Sequence, residues 1–260
     1  MRICAIIRIA IKMKKCFEGK KALVVGGSGG IGASLSLLLA KNGAELVVHG
    51  GHKSEKFSVL MEKIKSHSPK SSALVFPIDA EHFSAVEDSA LCRTASECDI
   101  LCVCFGPFVQ KPVEQTSFSD WQMVSLLDYA LPGFLVTKAL PWMQKNHWGR
   151  ILLFGGTGTA HRGEFKTNVA YAGAKSALNV LVQSVAAQFA SEGITCNAVF
   201  PGMTQTEYTQ NSDALSQKMP FGSLIAPESV AESALYLLQG ADLNGVLLRV
   251  DRGWSPAISK

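Results

Sequence analysis

Two features that the sequence lacks narrow the possibilities first. No uninterrupted apolar run is long enough to cross a bilayer, so we expect no membrane-spanning segment. The seven cysteines are odd in number and form no Cys-x-x-Cys pair, which disfavours a disulfide framework and a dithiol or zinc site. We therefore expect buried cysteines that serve core packing, a reducing cytoplasm and no bound metal.

Acidic residues are absent from the first fifteen positions, which hold five of the 25 lysines and arginines. The other positions therefore carry 20 basic residues against 21 acidic ones, and their net charge is close to zero. A nucleic-acid-binding domain needs a basic surface to neutralise phosphates. We therefore predict no nucleic-acid partner, despite the formal net charge of +4 for the whole chain.

Residues 1–15 form a basic and apolar tail without the features of a secretory signal. Arg8 interrupts the apolar core that a signal peptide needs, and no small-residue cleavage site follows. Two interpretations stay open: an amphipathic surface tail, or an upstream start codon chosen wrongly, with Met13 the true start. We favour the second, and we assign residues 16–260 to one domain of a length that supports a single large core.

Short apolar runs alternate with helical apolar spacing along the chain. This pattern is typical of a parallel sheet whose strands are joined by helices. We predict a single α/β domain with a Rossmann-type, doubly wound parallel sheet and helices on both faces. Ligands of such sheets bind beyond the carboxyl ends of the strands, so the loops there deserve the closest reading. The predicted strands cover residues 22–25, 46–48, 73–78, 99–104, 151–154, 194–199 and 246–250.

A glycine-rich stretch follows the first predicted strand and leads into a helical pattern. Glycine lets a pyrophosphate approach the backbone, and a helix N-terminus offers free N–H groups and a positive dipole end. Two registers fit: Gly27, Gly29 and Gly32 match G-x-G-x-x-G, and Gly26, Gly30 and Gly32 match G-x-x-x-G-x-G. No Lys-Ser or Lys-Thr pair closes the stretch, so we predict dinucleotide binding rather than a P-loop.

The loop after the second strand lacks the acidic residue with which NAD enzymes bind the ribose hydroxyls. It contains His52 and Lys53 instead, and both suit the 2′-phosphate of NADP(H). An ordinary solvated loop is the alternative interpretation. We therefore predict NADP(H) as the preferred cofactor, with NAD(H) as the second choice.

Tyr171 and Lys175 are four residues apart in a helical pattern and therefore lie on one helix face. A lysine ammonium beside a phenol favours the phenolate and lowers the pKa of the phenol, which then exchanges protons near neutral pH. With this pair and the glycine stretch, residues 17–255 resemble the short-chain dehydrogenase/reductase family, in particular its 3-oxoacyl-acyl-carrier-protein reductase-like members. The resemblance favours the G-x-x-x-G-x-G register, which is the pattern of that family.

The resemblance implies a mechanism and a cofactor site. In the family, the tyrosine protonates a carbonyl oxygen while NADPH delivers hydride, and the lysine holds the nicotinamide ribose. The expected cofactor-binding residues lie in the glycine stretch, in the loops after four other strands and on the catalytic helix. They are Gly26, Ser28, Gly29, Gly30, Ile31, Gly32, His52, Lys53, Asp79, Ala80, Cys104, Gly106, Tyr171, Lys175, Pro201, Gly202, Thr204 and Thr206.

The chain departs from the family pattern in the segment after the fourth strand, at a helical asparagine and at the catalytic serine. After the fourth strand, the family's Asn-Asn-Ala-Gly is replaced by a segment that keeps only its glycine, Gly106. The helical asparagine that anchors a water relay corresponds here to Asp128. A carboxylate also accepts hydrogen bonds, so Asp128 could keep the relay, or it could pair with Lys175 and change the charge balance there.

The catalytic serine of the family is missing from the loop after the fifth strand. Counting from the strand puts Gly156 at its position, and counting back from Tyr171 puts Gly158 there. Thr157 and Thr159 flank both positions, and either could supply the hydroxyl. We prefer Thr157, and the alternative is that both threonines are ordinary polar loop residues.

The predicted function is NADPH-dependent reduction of a ketone, with 3-oxoacyl thioesters among the candidate substrates. The predicted catalytic residues are Tyr171, Lys175, Thr157 and Asp128. The alternative is a catalytically weak dinucleotide-binding protein that acts as a sensor or a partner subunit. The segment 207–222 is expected to cover the substrate, with Tyr208, Met219 and Phe221 as apolar contacts. By analogy with the family, we expect a homo-oligomer, a dimer or a tetramer.

Overall fold

Seven parallel strands form one sheet in the order β3-β2-β1-β4-β5-β6-β7. In the central register, Val24 of β1 lies between Val48 of β2 and Cys102 of β4. This order confirms the predicted Rossmann-type sheet, in which the strand order reverses between β1 and β4. The strands are β1 Lys21–Val25, β2 Glu45–Gly50, β3 Ser72–Val75, β4 Ile100–Val103, β5 Gly149–Phe154, β6 Ile194–Pro201 and β7 Leu247–Val250.

The structure is a computed structural model that describes residues 15–209, 213–217, 219 and 221–254. The start-codon hypothesis for the tail and the predicted contact of the Tyr208 side chain lie outside the described parts, and both stay predictions. The helices are α1 Gly30–Lys41, α2 Glu55–His67, α3 Ala90–Ala95, α4 Phe118–Val124, α5 Leu131–Lys145, α6 Val169–Phe189, α7 Asp213–Gln217 and α8 Pro227–Gln239. The 3₁₀ turns are Phe83–Val86, Val113–Gln115, Ala190–Glu192 and Glu207–Thr209, and the π-helical turn Ser125–Ala130 joins α4 to α5.

The core lies in two layers, one on each face of the sheet. On one face, Leu35 of α1, Ile64 of α2 and Val230 of α8 pack with residues of the strands. On the other face, Leu135 of α5 and Leu178 of α6 do the same. Because both faces are covered, the inner strands β1, β4, β5 and β6 are buried along nearly their whole length. The structure thereby confirms the prediction of helices on both faces.

The third strand is shorter than predicted and belongs to the edge of the sheet. It ends at Val75, although the amide of Phe76 still donates to the carbonyl of Gly50 at 3.1 Å. Pro77 follows and has no N–H to continue the ladder, so the chain leaves the sheet there. The sixth strand is longer than predicted, because Pro201 still pairs with β7.

One continuous helical segment, Phe118–Lys145, is long and apolar enough to cross a membrane by length and composition alone. This finding does not overturn the expectation that the chain has no membrane-spanning segment, because a helix buried in the core of a folded domain passes the same test. The sequence hides this segment because Asp128 interrupts the apolar run, whereas the fold joins α4, the π-helical turn and α5 end to end. Its buried residues, among them Leu131 and Met143, belong to the core against the sheet, which explains the apolar composition.

Candidate functional site

The glycine stretch forms a tight turn between β1 and α1 that only glycine can make. Gly26 and Gly30 have φ angles of +72° and +49°, a region that residues with a side chain rarely adopt. A Cβ on Gly32 would collide with the carbonyl oxygen of Gly26, so α1 packs on the turn only without one. A Cβ built on Gly27 would lie 2.7 Å from a side chain of β2, whereas a Cβ on Gly29 would meet open space. These constraints match the G-x-x-x-G-x-G register.

The N-terminus of α1 offers its amides to a ligand. Gly29 occupies the N-cap position without a side-chain hydrogen bond, and the first turn contains no acidic residue. Ser28 and Ile31 are partly buried at either side of this end. Unused N–H groups and the positive end of the helix dipole favour an anion such as a pyrophosphate. The geometry therefore fits the predicted dinucleotide cradle.

His49, a residue that the sequence analysis missed, fastens the glycine turn to the sheet. The amide of Gly26 donates to its Nδ1 at 3.1 Å, and its Nε2 lies 2.8 Å from the carbonyl of Phe76. Since Nδ1 accepts, the proton belongs on Nε2 and the ring is neutral. Burial lowers the pKa of His49, which keeps this form. Its only signal in the sequence is a histidine that ends an apolar strand.

The loop after β2 leaves His52 and Lys53 exposed, as a phosphate-binding role requires. The structure also brings Glu207, from the 3₁₀ turn that follows β6, to the start of α2. There the Glu207 carboxylate accepts from the Lys56 ammonium at 2.6 Å. This bond and, to a smaller extent, the charge of His52 lower the pKa of Glu207. A bound 2′-phosphate would therefore share this cation cluster with a carboxylate.

Asp79 and Ala80, expected at the adenine, lie beyond the edge strand β3. Asp79 is exposed, and its carboxylate accepts from the backbone amide of His82 at 2.7 Å. This hydrogen bond is the largest cause that lowers the pKa of Asp79. The carboxylate thus shapes the turn before the Phe83–Val86 segment, while its contact with adenine stays a prediction.

Tyr171, in the first turn of α6, points at the loop that follows β5. A Cβ built on Gly156 would lie 2.7 Å from its Cε1 and 2.9 Å from its phenolic oxygen. A Cβ on Gly158 would instead meet Arg162. The structure therefore places Gly156, and not Gly158, at the position that faces the phenol. The ring of Phe108 contacts the Tyr171 ring edge-on, with centroids 4.8 Å apart.

The two threonines of this loop differ in how their hydroxyls are used. Thr159 is buried, and its hydroxyl accepts from the amide of Gly156 at 3.0 Å and donates to the carbonyl of Gly156 at 2.9 Å. Thr157 is partly exposed, and its hydroxyl makes one bond, donating to the carbonyl of Pro201 at 3.0 Å. To donate to a substrate, the Thr157 hydroxyl must first break its hydrogen bond to the Pro201 carbonyl. Its role in place of serine stays a prediction.

Lys175 is buried and held by two groups. Its ammonium lies 3.0 Å from Oδ1 of Asp128 and donates to the carbonyl of Phe154 at 3.1 Å. Asp128 comes from the π-helical turn and is fully buried. Burial raises the pKa of Asp128 to about 6, and the Lys175 charge opposes that rise. Of the two alternatives for Asp128, the structure shows the ion pair with Lys175.

The pKa of Tyr171 moves opposite to the prediction. Burial raises it first, and the negative charge of Asp128 raises it further. The expectation that Lys175 lowers this pKa is therefore wrong for the protein without ligand. The physical reason is that the Lys175 ammonium is turned to Asp128 and Phe154, so its charge is largely cancelled at the phenol.

The backbone at the end of β4 forms the floor beneath this ion pair. A Cβ on Gly106 would collide with the Asp128 carboxylate and lie 2.8 Å from the Lys175 ammonium. Cys104 precedes it, and its amide donates to the carbonyl of Val25 at 2.8 Å. Burial raises the pKa of the Cys104 thiol to about 12, so it remains a neutral thiol. The one glycine kept from the family segment is the one that the geometry requires.

The loop after β6 runs back across the glycine turn. A Cβ on Gly30 would lie 3.2 Å from the Thr206 methyl group. Thr204 is buried, and its hydroxyl donates to the carbonyl of Gly202 at 3.0 Å. With Pro201 at the strand end, the predicted nicotinamide-binding segment therefore lies next to the glycine turn.

Arg252 fastens the end of the segment expected to cover the substrate. It donates to the carbonyl and the hydroxyl of Ser223 at 3.1 and 3.0 Å and lies over the ring of Phe221 at 5.5 Å. Its φ of +55° is unusual for a residue with a side chain. Met219 is buried and Phe221 is exposed.

Comparison with known proteins decides the family. A family model described as short chain dehydrogenase matches residues 20–216. The chain belongs to the short-chain dehydrogenase family.

Within the described residues, no group of three or more His, Cys, Asp or Glu side chains could hold a metal ion.

Relatives of known name cover nearly the whole chain. The D-beta-hydroxybutyrate dehydrogenase of Rhizobium meliloti (strain 1021) is 26% identical over 258 residues, 91% of this chain and 98% of that protein. A 3-oxoacyl-[acyl-carrier-protein] reductase of Synechocystis sp. is 30% identical over 250 residues, 89% and 95% of the two chains. A solved dehydrogenase/reductase from Sinorhizobium meliloti 1021 has a TM-score of 0.77 at 26% identity and covers 92% and 96%.

As a short-chain dehydrogenase, the protein is an oxidoreductase of the kind that binds a nicotinamide dinucleotide and acts on alcohol or ketone groups. The residues present fit such a cofactor. The side-chain-free cradle at Gly26, Gly30 and Gly32 and the uncapped α1 N-terminus suit its pyrophosphate. When bound, the nicotinamide supplies the hydride.

Proposed function

We propose that this short-chain dehydrogenase reduces a ketone with NADPH and that Tyr171 donates the proton. The observation that carries the proposal is the position of the Tyr171 phenol. It lies beside Gly156, just past the end of β5, and on the same helix face as Lys175. A proton donor at that place serves a carbonyl whose carbon accepts hydride.

The proposal gives each neighbouring residue a role. Lys175 holds the nicotinamide ribose, and Asp128 holds Lys175. Thr157 turns its hydroxyl from Pro201 to the substrate and replaces the missing serine. The distinction between the threonines supports this assignment, because Thr159 already uses its hydroxyl twice within the buried loop.

The preference for NADPH rests on the loop after β2. His52 and Lys53 are exposed, Lys56 lies in the first turn of α2, and no acidic residue of that loop competes for the ribose. Cations close to a 2′-phosphate form charge-assisted hydrogen bonds. Glu207, which accepts from Lys56, would move aside or accept from the ribose.

The substrate class is drawn from the relatives. Their names include a β-hydroxybutyrate dehydrogenase and 3-oxoacyl-[acyl-carrier-protein] reductases. We propose a ketone of this kind, with 3-oxoacyl thioesters as the first candidates.

We also propose a homo-oligomer: Phe118, Trp121 and Tyr129 are exposed along one helical segment, where a second copy could cover them.

A second candidate function is dinucleotide binding with weak catalysis. Two observations favour it: the residue opposite the phenol is Gly156, which has no hydroxyl, and the Lys175 charge is paired with Asp128. A sensor or partner subunit needs the cradle but not the full catalytic set.

The test measures NADPH oxidation by the full chain against a panel of ketones and 3-oxoacyl thioesters. Tyr171→Phe should lower the rate on an active substrate by about 100- to 10,000-fold and leave NADPH affinity nearly unchanged. Tyr236→Phe is the matched control, because Tyr236 is exposed on α8. Full activity in Tyr171→Phe would refute the proposed chemistry. NADPH binding without turnover of any panel member would favour the second candidate.

A further inference from the structure

Of the ion pairs in the described residues, the one between Asp128 and Lys175 is the most deeply buried, with side-chain exposures of 0% and 6%. Charges removed from water are costly unless they are paired. Neither oxygen of Asp128 has a well-directed hydrogen bond within the described residues. The attraction of Lys175 at 3.0 Å is therefore what holds the carboxylate there.

The fold makes room for this pair on three sides. Asp128 lies on the π-helical turn, and Gly106 leaves space for its carboxylate because glycine has no Cβ. The carbonyl of Phe154 accepts a hydrogen bond from the Lys175 ammonium. Because an asparagine would fit the same space, the carboxylate adds a charge rather than a shape. That charge lies next to the side chain that the proposed function makes the proton donor.

We propose that Asp128 is a positioning residue that cancels the charge of Lys175 and thereby holds the Tyr171 phenol in its protonated form. The expected effect on ketone reduction rests on the proposed function, in which the Tyr171 phenol is the proton donor. The effect on the protonation of the phenol does not. A phenol that stays protonated remains a donor to a higher pH. The site would thus reduce ketones over a wider alkaline range than it would with asparagine.

The titratable groups around the phenol are few in the described part of the site. Asp128, on the π-helical turn, acts on the phenol through its charge, Lys175 lies one turn further along α6, and Cys104 follows β4 near Lys175. Gly156 and Phe108, which contact the ring directly, carry no charge. Burial raises the pKa of Tyr171, and Asp128 is the charged group that raises it further.

The experiment titrates the phenol without substrate or cofactor. Ultraviolet absorbance of phenolate is recorded against pH for the full chain, and the same titration of Tyr171→Phe is subtracted to remove the other three of the four tyrosines. Asp128→Asn, with its own Tyr171→Phe reference, should move the midpoint of Tyr171 to lower pH by about one unit or more. Adding Lys175→Met to Asp128→Asn should move it back up, because the uncovered ammonium causes the shift.

An unchanged or higher midpoint in Asp128→Asn would overturn the proposal. Circular dichroism checks the fold first, and Asp128→Ala takes the place of Asp128→Asn if that variant does not fold. If Asp128 had a purely structural role, Asp128→Asn would lower stability without changing the titration midpoint of Tyr171. That outcome would also contradict the proposal. The titration does not depend on turnover, so a failed ketone assay would leave its result intact.

Discussion

Around the glycine turn the decisive contacts are made by backbone, whereas around Tyr171 they are made by side chains. Gly26, Gly30 and Gly32 lie where a Cβ or a negative φ would break the turn. Around Tyr171, Gly156 faces the phenol at one of the two positions counted for the family serine, and Asp128 stands at the position expected for the family asparagine. Of the two regions, only the second departs from the family pattern at its expected functional positions.

The comparison shows that the two regions tolerate change differently. A turn that depends on missing side chains fails sterically with almost any substitution, so it can be kept only as it is. A pocket built from side chains can exchange a hydroxyl or a charge and remain folded. Its chemistry then shifts, and the pKa of Tyr171 is the clearest instance in this protein.

The largest effect is expected from placing a methyl group inside the turn. Gly32→Ala should destabilise the protein by about 1–3 kcal/mol and weaken NADPH binding more than about tenfold, because the new Cβ meets the Gly26 carbonyl. Gly29→Ala is the control for stability, since Gly29 has extended backbone and open space. Urea unfolding and NADPH titration measure both. Equal destabilisation by the two variants would contradict this account of the turn.

The next effect separates the two threonines of the pocket. Thr157→Val should slow ketone reduction by roughly 100- to 1000-fold, the typical value of one donor to a developing oxyanion. Thr159→Val should instead cost about 1–3 kcal/mol of stability, because its hydroxyl satisfies the buried amide and carbonyl of Gly156. Steady-state kinetics and urea unfolding of both variants distinguish these effects. A silent Thr157→Val would remove Thr157 from the mechanism.

A smaller effect concerns the choice between the two nicotinamide cofactors. The unmodified protein should bind NADPH about 10- to 100-fold tighter than NADH, because His52 and Lys53 lie on the loop for the 2′-phosphate. Gly51→Asp should reverse the order by repelling the phosphate and accepting from the ribose hydroxyls. Fluorescence titration with both cofactors measures the ratio. A preference for NADH in the unmodified protein would show that this loop binds no phosphate.

The smallest effect is a pH dependence of stability at the turn. The pKa of folded His49 is lowered, so the unfolded chain binds the proton first and stability is lost as the pH falls below about 6.5. The free energy of unfolding should therefore fall less between neutral pH and about pH 5.5 in His49→Gln than in the parent protein. The pKa of folded Asp128 is raised, so its contribution to the free energy of unfolding grows as the pH falls. This contribution is the same in the parent protein and in His49→Gln. An identical fall in both would argue against the neutral His49 bridge.

Much of the fold follows from local pattern. Buried parallel strands are apolar on both faces and alternate with amphipathic helices, so the order of elements is written into short segments. The ends of strands are less local. β3 ended early because Pro77 lies beside an edge, and β6 extended to Pro201 because β7 was there to pair with it.

The sequence by itself determined the glycine register, the Tyr171–Lys175 pair and the missing serine hydroxyl, since each depends on residue type and short spacing. Only the tertiary structure decided that Gly156 faces the phenol, that His49 fastens the turn and that Glu207 reaches Lys56. It also decided the state of Tyr171. Spacing places an ammonium near the phenol, but its effect depends on burial and on Asp128, a residue distant in sequence that the fold brings within 3.0 Å of Lys175.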